Sequence, residues 1–154
     1  MRRLAWAAAL AALSACSASR MGDGPPGASP PPPQEVAEVK DPNFELLVLE
    51  TVPNADDDGV SFTKIFVDGQ EIGKTPVGPR SQEKRARLKL PAGNVPMRLE
   101  HWLLPAAGEW TRLGDARQPR ERFVRIENGV MNQLTLRFGA DGAPSLQMSR
   151  AAFP

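Results

Sequence analysis

The chain of 154 residues holds one cysteine, one histidine and no tyrosine. A single thiol excludes an intrachain disulfide. One histidine is too few for a zinc site, which takes three or four clustered ligands. A nucleophile–histidine–carboxylate arrangement would have to use His101, with Ser61, Ser81, Ser145 or Ser149 as nucleophile, and none of these serines stands in a G-x-S-x-G turn. His101 continues the phase of Val95, Met97 and Leu99, which marks it as a strand-end residue. No catalytic residue, metal ligand set or cofactor site is assigned. Gly69, Gly73 and Lys74 lack the spacing of a phosphate-binding P-loop, and no helix follows them. The formal net charge is +1, so no overall basicity points to nucleic acid. After residue 40 no stretch shows sustained helical spacing with caps.

What is present begins at the N-terminus. Arg2 and Arg3 precede an apolar run, Leu4 to Leu13, and then comes Ser14-Ala15-Cys16. A basic start, a short apolar run and small residues before a cut are the layout of a secretory signal peptide. The run is about half the length that a membrane-spanning helix needs. Leu13-Ser14-Ala15-Cys16 resembles the lipobox of bacterial lipoproteins. That resemblance implies cleavage before Cys16, diacylglycerol on its thiol and a further acyl chain such as palmitate on its amine. Two or more chains hold a protein stably on a membrane, whereas one does so only reversibly. Ser17 follows the cysteine where an inner-membrane lipoprotein often carries aspartate. The expected location is therefore the cell envelope, at the outer rather than the inner membrane. An ordinary signal peptide with a chance cysteine is the other reading of Cys16.

Three segments follow from composition: a signal peptide over 1–15, a linker over 16–40 and one domain over 41–154. The linker contains Pro25, Pro26 and the run Pro30–Pro33, with glycine, serine and alanine between. Such a stretch buries too little apolar surface to offset its conformational entropy. The domain's charge is segregated. Residues 34–71 carry ten acidic and two basic side chains, and residues 74–125 carry twelve basic and five acidic ones. The two segments either lie side by side and neutralise each other or leave a basic face for an anionic partner.

Within the domain the periodicity is that of strands. Phe44–Leu49 is a dense apolar run bounded by Pro42 and Pro53, expected to be buried on both faces. Thr63–Val67 is followed by the turn Asp68-Gly69. Lys84–Leu90 places Ala86, Leu88 and Leu90 on one face. Val95, Met97 and Leu99 share a face, with Arg98, Glu100 and Trp102 on the other. Val124 and Ile126 alternate before the turn Asn128-Gly129, and Leu134, Leu136 and Phe138 point inward from the next strand. Asp141-Gly142 leads to Leu146 and Met148. This pattern predicts an all-β fold, an antiparallel β-sandwich of about six or seven strands.

Ile65-Phe66-Val67-Asp68-Gly69, then Ile72-Gly73-Lys74-Thr75-Pro76, then Leu88-Lys89-Leu90-Pro91-Ala92-Gly93 together resemble the PEGA domain. In that family a strand ending in V-D-G leads to a G-x-T-P turn and a strand ending in leucine, proline and glycine. The tetrad that names the family is absent here, and Val52-Pro53-Asn54-Ala55 stands nearest its place. The resemblance spans about residues 44–138 and implies an envelope or surface module. The residues that carry it, Asp68, Gly69, Gly73, Thr75, Pro76 and Gly93, are turn-making residues whose chemistry is conformational.

Two further stretches bear on function. Asp56-Asp57-Asp58 offers oxygen ligands for calcium but lacks the spaced D-x-D-x-D-G loop with a distant glutamate. Leu103–Pro119 is long for a connection inside a small domain. It carries Trp110, Arg112 and Arg117, and Trp102 just precedes it. Tryptophan and arginine are favoured at binding hot spots, so Trp102, Trp110, Arg112 and Arg117 form the candidate partner-binding set. The same tryptophans could instead cover a sheet edge. The expected function is a membrane-anchored envelope lipoprotein whose non-catalytic domain binds a protein or polysaccharide. The alternatives are an anchoring subunit of an export machine and a small envelope hydrolase.

Overall fold

Period-two alternation produces two packed sheets. A computed structural model describes residues 39–105 and 108–152; Cys16, the signal peptide and the proline-rich tract lie outside the described residues. The strands are β1 (Phe44–Glu50), β2 (Val60–Val67), β3 (Gln70–Lys74), β4 (Gly78–Pro79), β5 (Lys84–Leu88), β6 (Gly93–Leu104), β7 (Thr111–Arg112), β8 (Arg122–Ile126), β9 (Val130–Phe138) and β10 (Pro144–Ala152). Sheet A has the order β10-β9-β1-β5. Sheet B has the order β3-β2-β6, with β4 beside β2 and both β7 and β8 against the far side of β6. The helical pieces among the described residues are two short 3-10 turns, Ala55–Asp57 and Asp115–Arg117. The fold is an all-β sandwich.

Its details depart from the expected pattern in three ways. Ten strands form rather than six or seven, because β4 and β7 are two-residue pairings and β3 follows the Asp68-Gly69 turn directly. The sandwich is also not wholly antiparallel: β1 runs parallel to β9, from Phe44 beside Asn132 to Glu50 beside Phe138. The chain returns to sheet A first as the antiparallel β5, crosses to sheet B again for β6 to β8, and re-enters sheet A as β9 from the same end as β1. Finally, the two faces of β1 are buried unequally, and on the outer face only Glu45, covered by Arg85, Arg87 and Gln133, is buried. Phe44, Leu46 and Val48 enter the core, while Leu47 and Leu49 are half-buried on the outer side.

The core between the sheets is apolar through its middle. Phe44, Leu46 and Val48 meet Leu134, Leu136 and Phe138 from sheet A and Ile65, Met97, Leu99, Val124 and Ile126 from sheet B. Polar groups close one end. The Asn43 amide exchanges two hydrogen bonds of 2.8 Å with the backbone of Leu90. The Asn132 amide donates to the Asn43 and Glu127 carbonyls and accepts from the Glu127 N–H. Each buried amide thereby replaces backbone partners that the strand ends would otherwise lack.

The turn-making residues can now be placed. Asp68 (φ 50°) and Gly69 (φ 78°) are both left-handed and join β2 to β3, the geometry that asparagine, aspartate and glycine tolerate best. Thr75 is fully buried. Its N–H donates to the Thr63 carbonyl at 2.9 Å, and its hydroxyl accepts from the Thr63 N–H at 2.9 Å. Gly73 lies in β3 where a Cβ would come within 2.9 Å of the Leu88 side chain, so it sets the approach of β3 to β5. Pro76 is exposed just beyond β3, and Gly93 opens β6 at φ 120°.

Candidate binding surface

β2 and β6 are paired from Val60 beside Leu104 to Val67 beside Met97. Alternation sends Ser61, Thr63, Ile65 and Val67 into the sandwich and Phe62, Lys64 and Phe66 onto the outer face of sheet B. The same ladder puts Arg98, Glu100 and Trp102 on that outer face. Phe62 and Trp102 are opposite one another, and their rings stack with centroids 6.3 Å apart and planes 9° from parallel. Trp110 approaches Phe62 edge-on, with centroids 5.0 Å apart. The segment after β6 folds back so that Thr111–Arg112 pairs with Trp102 and Leu103. Phe62 is left only 2% exposed, on a face that would otherwise be open to solvent.

Cations flank the aromatic rings. Lys64 Nζ lies 5.8 Å from the Trp102 ring centroid, and the Arg98 guanidinium stacks 3.9 Å from the centre of Phe66. Arg112 pairs with Asp115 at 2.9 Å. On the next row Pro96 stands opposite Phe123, which is 72% exposed. Phe123 is the most exposed large hydrophobic side chain among the described residues.

The structure therefore brings three of the four sequence-derived residues together: Trp102, Trp110 and Arg112 share this face. Arg117 does not join them. It lies at the end of the sandwich and lines a cleft of about 590 Å³ with Arg80, Asp56, Asp57, Asp141 and Leu103. Sequence reasoning also missed Phe62, Phe66, Arg98 and Phe123. Their signal was the alternation itself, which was ambiguous because the inward face of β2 begins with the polar pair Ser61 and Thr63.

Those inward polar residues belong to a buried network beside the cleft. The Glu50 side chain is 1% exposed and that of Lys84 is 2%; they pair at 3.2 Å. Arg80 Nε donates to Glu50 at 3.0 Å, and the Ser61 hydroxyl donates to the other carboxylate oxygen. His101 is fully buried. Its Nδ1 shares a hydrogen bond of 2.9 Å with the Thr63 hydroxyl, and its Nε2 lies 3.3 Å from Glu50, out of line for a hydrogen bond. Burial alone would raise the Glu50 pKa. The His101 ring, the Ser61 hydroxyl and Arg80 outweigh it and hold the carboxyl at about 2. Burial lowers the Lys84 pKa, and the Glu50 charge opposes that shift.

Of the candidate nucleophiles Ser61 is buried with His101, whereas Ser81, Ser145 and Ser149 are exposed and hydrogen-bond to Asp58, Arg137 and Gln133 rather than to the histidine. Within the acidic loop Asp58 is tied into the structure, while Asp56 and Asp57 are exposed at the cleft. The Asp58 carboxylate accepts from the Ser81 N–H and hydroxyl, which lower its pKa. Among the described residues no three histidine, cysteine or acidic side chains gather as a metal site would require. No described helix is long and apolar enough to cross a membrane. A scan against protein-family models finds no match, and searches of curated proteins and of solved structures find none either.

Proposed function

We propose that the chain is an envelope lipoprotein, tethered through Cys16, whose β-sandwich binds a protein or cell-envelope partner and catalyses no reaction. The observation that carries the binding half is the outer face of sheet B, where Phe62, Trp102 and Trp110 cluster beside Lys64, Arg98, Arg112 and an exposed Phe123. The burial of His101 and its engagement with Thr63 support the non-catalytic half. The anchor rests on Leu13-Ser14-Ala15-Cys16, and the outer-membrane location on Ser17. The envelope setting also draws on the PEGA-like residues 65–93.

Two variants test the reading. With Cys16→Ser, cell fractionation should move the protein out of the membrane fraction; retention as firm as the parent's would dismiss the anchor. Crosslinking of the native protein followed by mass spectrometry should recover an envelope partner. Trp110→Ala should weaken that capture by about 2 kcal/mol, the scale of a hot-spot tryptophan. If capture is unchanged while the melting temperature drops, Trp110 serves only to cover Phe62.

A further inference from the structure

The sandwich has several sheet edges, and they are not equally guarded. An edge strand offers unpaired N–H and C=O groups to any extended chain, so natural proteins shorten edges, charge them or bend them away. β5, at one edge of sheet A, is five residues long and carries Lys84, Arg85 and Arg87. β3 is equally short, carries Glu71 and Lys74, and pairs with β2 through a register irregularity. β8 has five residues, with Arg122 and Arg125 among them. β10 differs. It is nine residues long, pairs only with β9 among the described strands, and has one charged residue, Arg150, already drawn to Glu127 at 3.3 Å. Its proline, Pro144, stands at its first position, where a strand interior is not interrupted.

The ladder fixes which backbone groups of β10 are open. Gly139 N–H donates to the Ala143 carbonyl, and Ser145, Gln147 and Ser149 continue that phase opposite Arg137, Thr135 and Gln133. In an antiparallel ladder the intervening residues direct their backbone groups the other way. Leu146, Met148 and Arg150 therefore present N–H and C=O groups to the unpaired side.

A cleft of about 530 Å³ lies alongside this edge. Pro144 and Leu146 form one wall, and Pro119, Arg120 and Arg122 contribute to the other. Its acid, Asp115, is paired with Arg112 at 2.9 Å. Arg120 and Arg122 have no acidic partner among the described residues. A strand added to β10 lies about 4.8 Å away and sends alternate side chains to the core side, which is the mouth of this cleft. A second copy of β10 would bring Arg150 toward two arginines and supplies no acid, so charge disfavours self-pairing.

We propose that β10 is a strand-addition site for an extended peptide whose cleft-facing side chains alternate between apolar and acidic. Backbone hydrogen bonds to Leu146, Met148 and Arg150 give the affinity. Leu146 and the arginine pair give the selection, as alternate-side-chain pockets do in other strand-addition complexes. The proposal is independent of the lipid anchor and of the tryptophan face.

The probe is a fluorescein-labelled nine-residue peptide with threonine at odd positions and valine and glutamate alternating at even ones, titrated into the full chain by fluorescence anisotropy. A matched peptide with lysine for glutamate is the control. The glutamate peptide should bind at least about tenfold more tightly than the lysine peptide, the ratio expected from losing one charge-assisted hydrogen bond. Arg120→Glu with Arg122→Glu should reverse that order. N-methylation of the peptide on alternate residues should abolish binding in one phase and spare it in the other, a readout that needs no protein variant. Trp110→Ala should leave binding unchanged. Absence of binding, equal binding of the two peptides, or equal tolerance of both methylation phases would overturn the proposal. So would a concentration-dependent dimer in sedimentation that Met148→Pro dissociates, since the edge would then belong to a second copy.

Discussion

Glu50 concentrates more of the domain's electrostatics than any other described side chain, since Ser61, Arg80, Lys84 and His101 all converge on it. Its carboxyl is held at about 2 when folded, well below the 4.5 of an ordinary glutamate. A depressed acid stabilises the folded state above its unfolded pKa, and the contribution is lost as pH falls through the folded value. Here the gain is on the order of 3 kcal/mol above about pH 4.5 and fades toward pH 2. Glu50→Gln should therefore flatten the acid limb of stability, followed by urea midpoints between pH 7 and pH 2. The same variant should lose roughly 3–5 kcal/mol at neutral pH, because Arg80 and Lys84 are left without their shared anion. An acid limb as steep as the parent's would mean that another carboxylate sets it.

At the scale of elements, β6 is bordered by two strands that do not meet. β8 pairs with Gly93–Met97 and β7 with Trp102–Leu103, leaving the backbone of His101 between them. The side chain of Gln118 fills the gap: its carbonyl accepts the His101 N–H at 2.9 Å, and its amide donates to the His101 and Leu113 carbonyls. A buried glutamine thus does what a strand would have done. Gln118→Ala should orphan the His101 N–H, cost about 1–3 kcal/mol and speed amide exchange at His101 more than at Leu99. Uniform exchange across β6 would contradict this role.

The same element shows why the sequence was legible in part. β6, β8 and β9 each alternate over five residues or more and adjoin aspartate-glycine, asparagine-glycine or glycine turns, so their existence and inward faces follow from the residues. β3, β4 and β7 carry no period of their own; they form because β2 and β6 are long enough to template them. The gathering of Trp102, Trp110 and Arg112 was legible from composition. The separation of Arg117 was not, because it depends on the 3-10 turn at Asp115–Arg117 and on the cleft beyond it. The place of Phe62 was hidden for a different reason. Sending it outward requires Ser61 and Thr63 to be inward, and their hydroxyls are satisfied only by Glu50 and His101, which are distant in sequence.

Across the whole molecule, the segregated charge of the sequence is largely resolved by one pairing. β1 and β5 are antiparallel neighbours, so acids of the first segment meet bases of the second. Glu45 pairs with Arg85 at 3.0 Å and Arg87 at 2.9 Å, which with Gln133 outweigh the effect of burial and lower its pKa. Glu50 pairs with Arg80 and Lys84. Of the arginines left outside this exchange, Arg120 and Arg122 lie beside β10, Arg117 lines the other cleft, and Arg98 and Arg112 stand on the outer face of sheet B. The basic character of residues 74–125 is therefore divided: some side chains pair with acids of β1, and others, Arg120 and Arg122 among them, have no acidic partner among the described residues.

That topology also constrains how the chain folds. β1 lies inside sheet A, and both of its partners arrive later: β5 after some forty residues and β9 only after nearly ninety, as the separations of 42 for Glu45–Arg87 and 88 for Glu45–Gln133 record. Neither hairpin formation nor local turns can complete β1, so much of the core waits on a large loop closure whose entropic cost precedes its reward. Sheet B can assemble earlier, since β2 with β3 is a two-residue hairpin and β6 with β8 is closer in sequence than β1 with β9. The expected folding time is milliseconds to seconds, the range of sandwiches dominated by non-local pairs. Stopped-flow fluorescence of Trp102 and Trp110 reports on sheet B, and pulsed amide exchange at Leu46 and Leu136 reports on sheet A. The Leu46 amide faces β5 and the Leu136 amide faces β1. Protection at Leu46 should not precede protection at Leu136, because the β1–β5 pair is held only once β9 docks on the other side of β1. Early protection of Leu46 ahead of β9 would show that the β1–β5 ion pairs, rather than the closing β9 strand, organise sheet A.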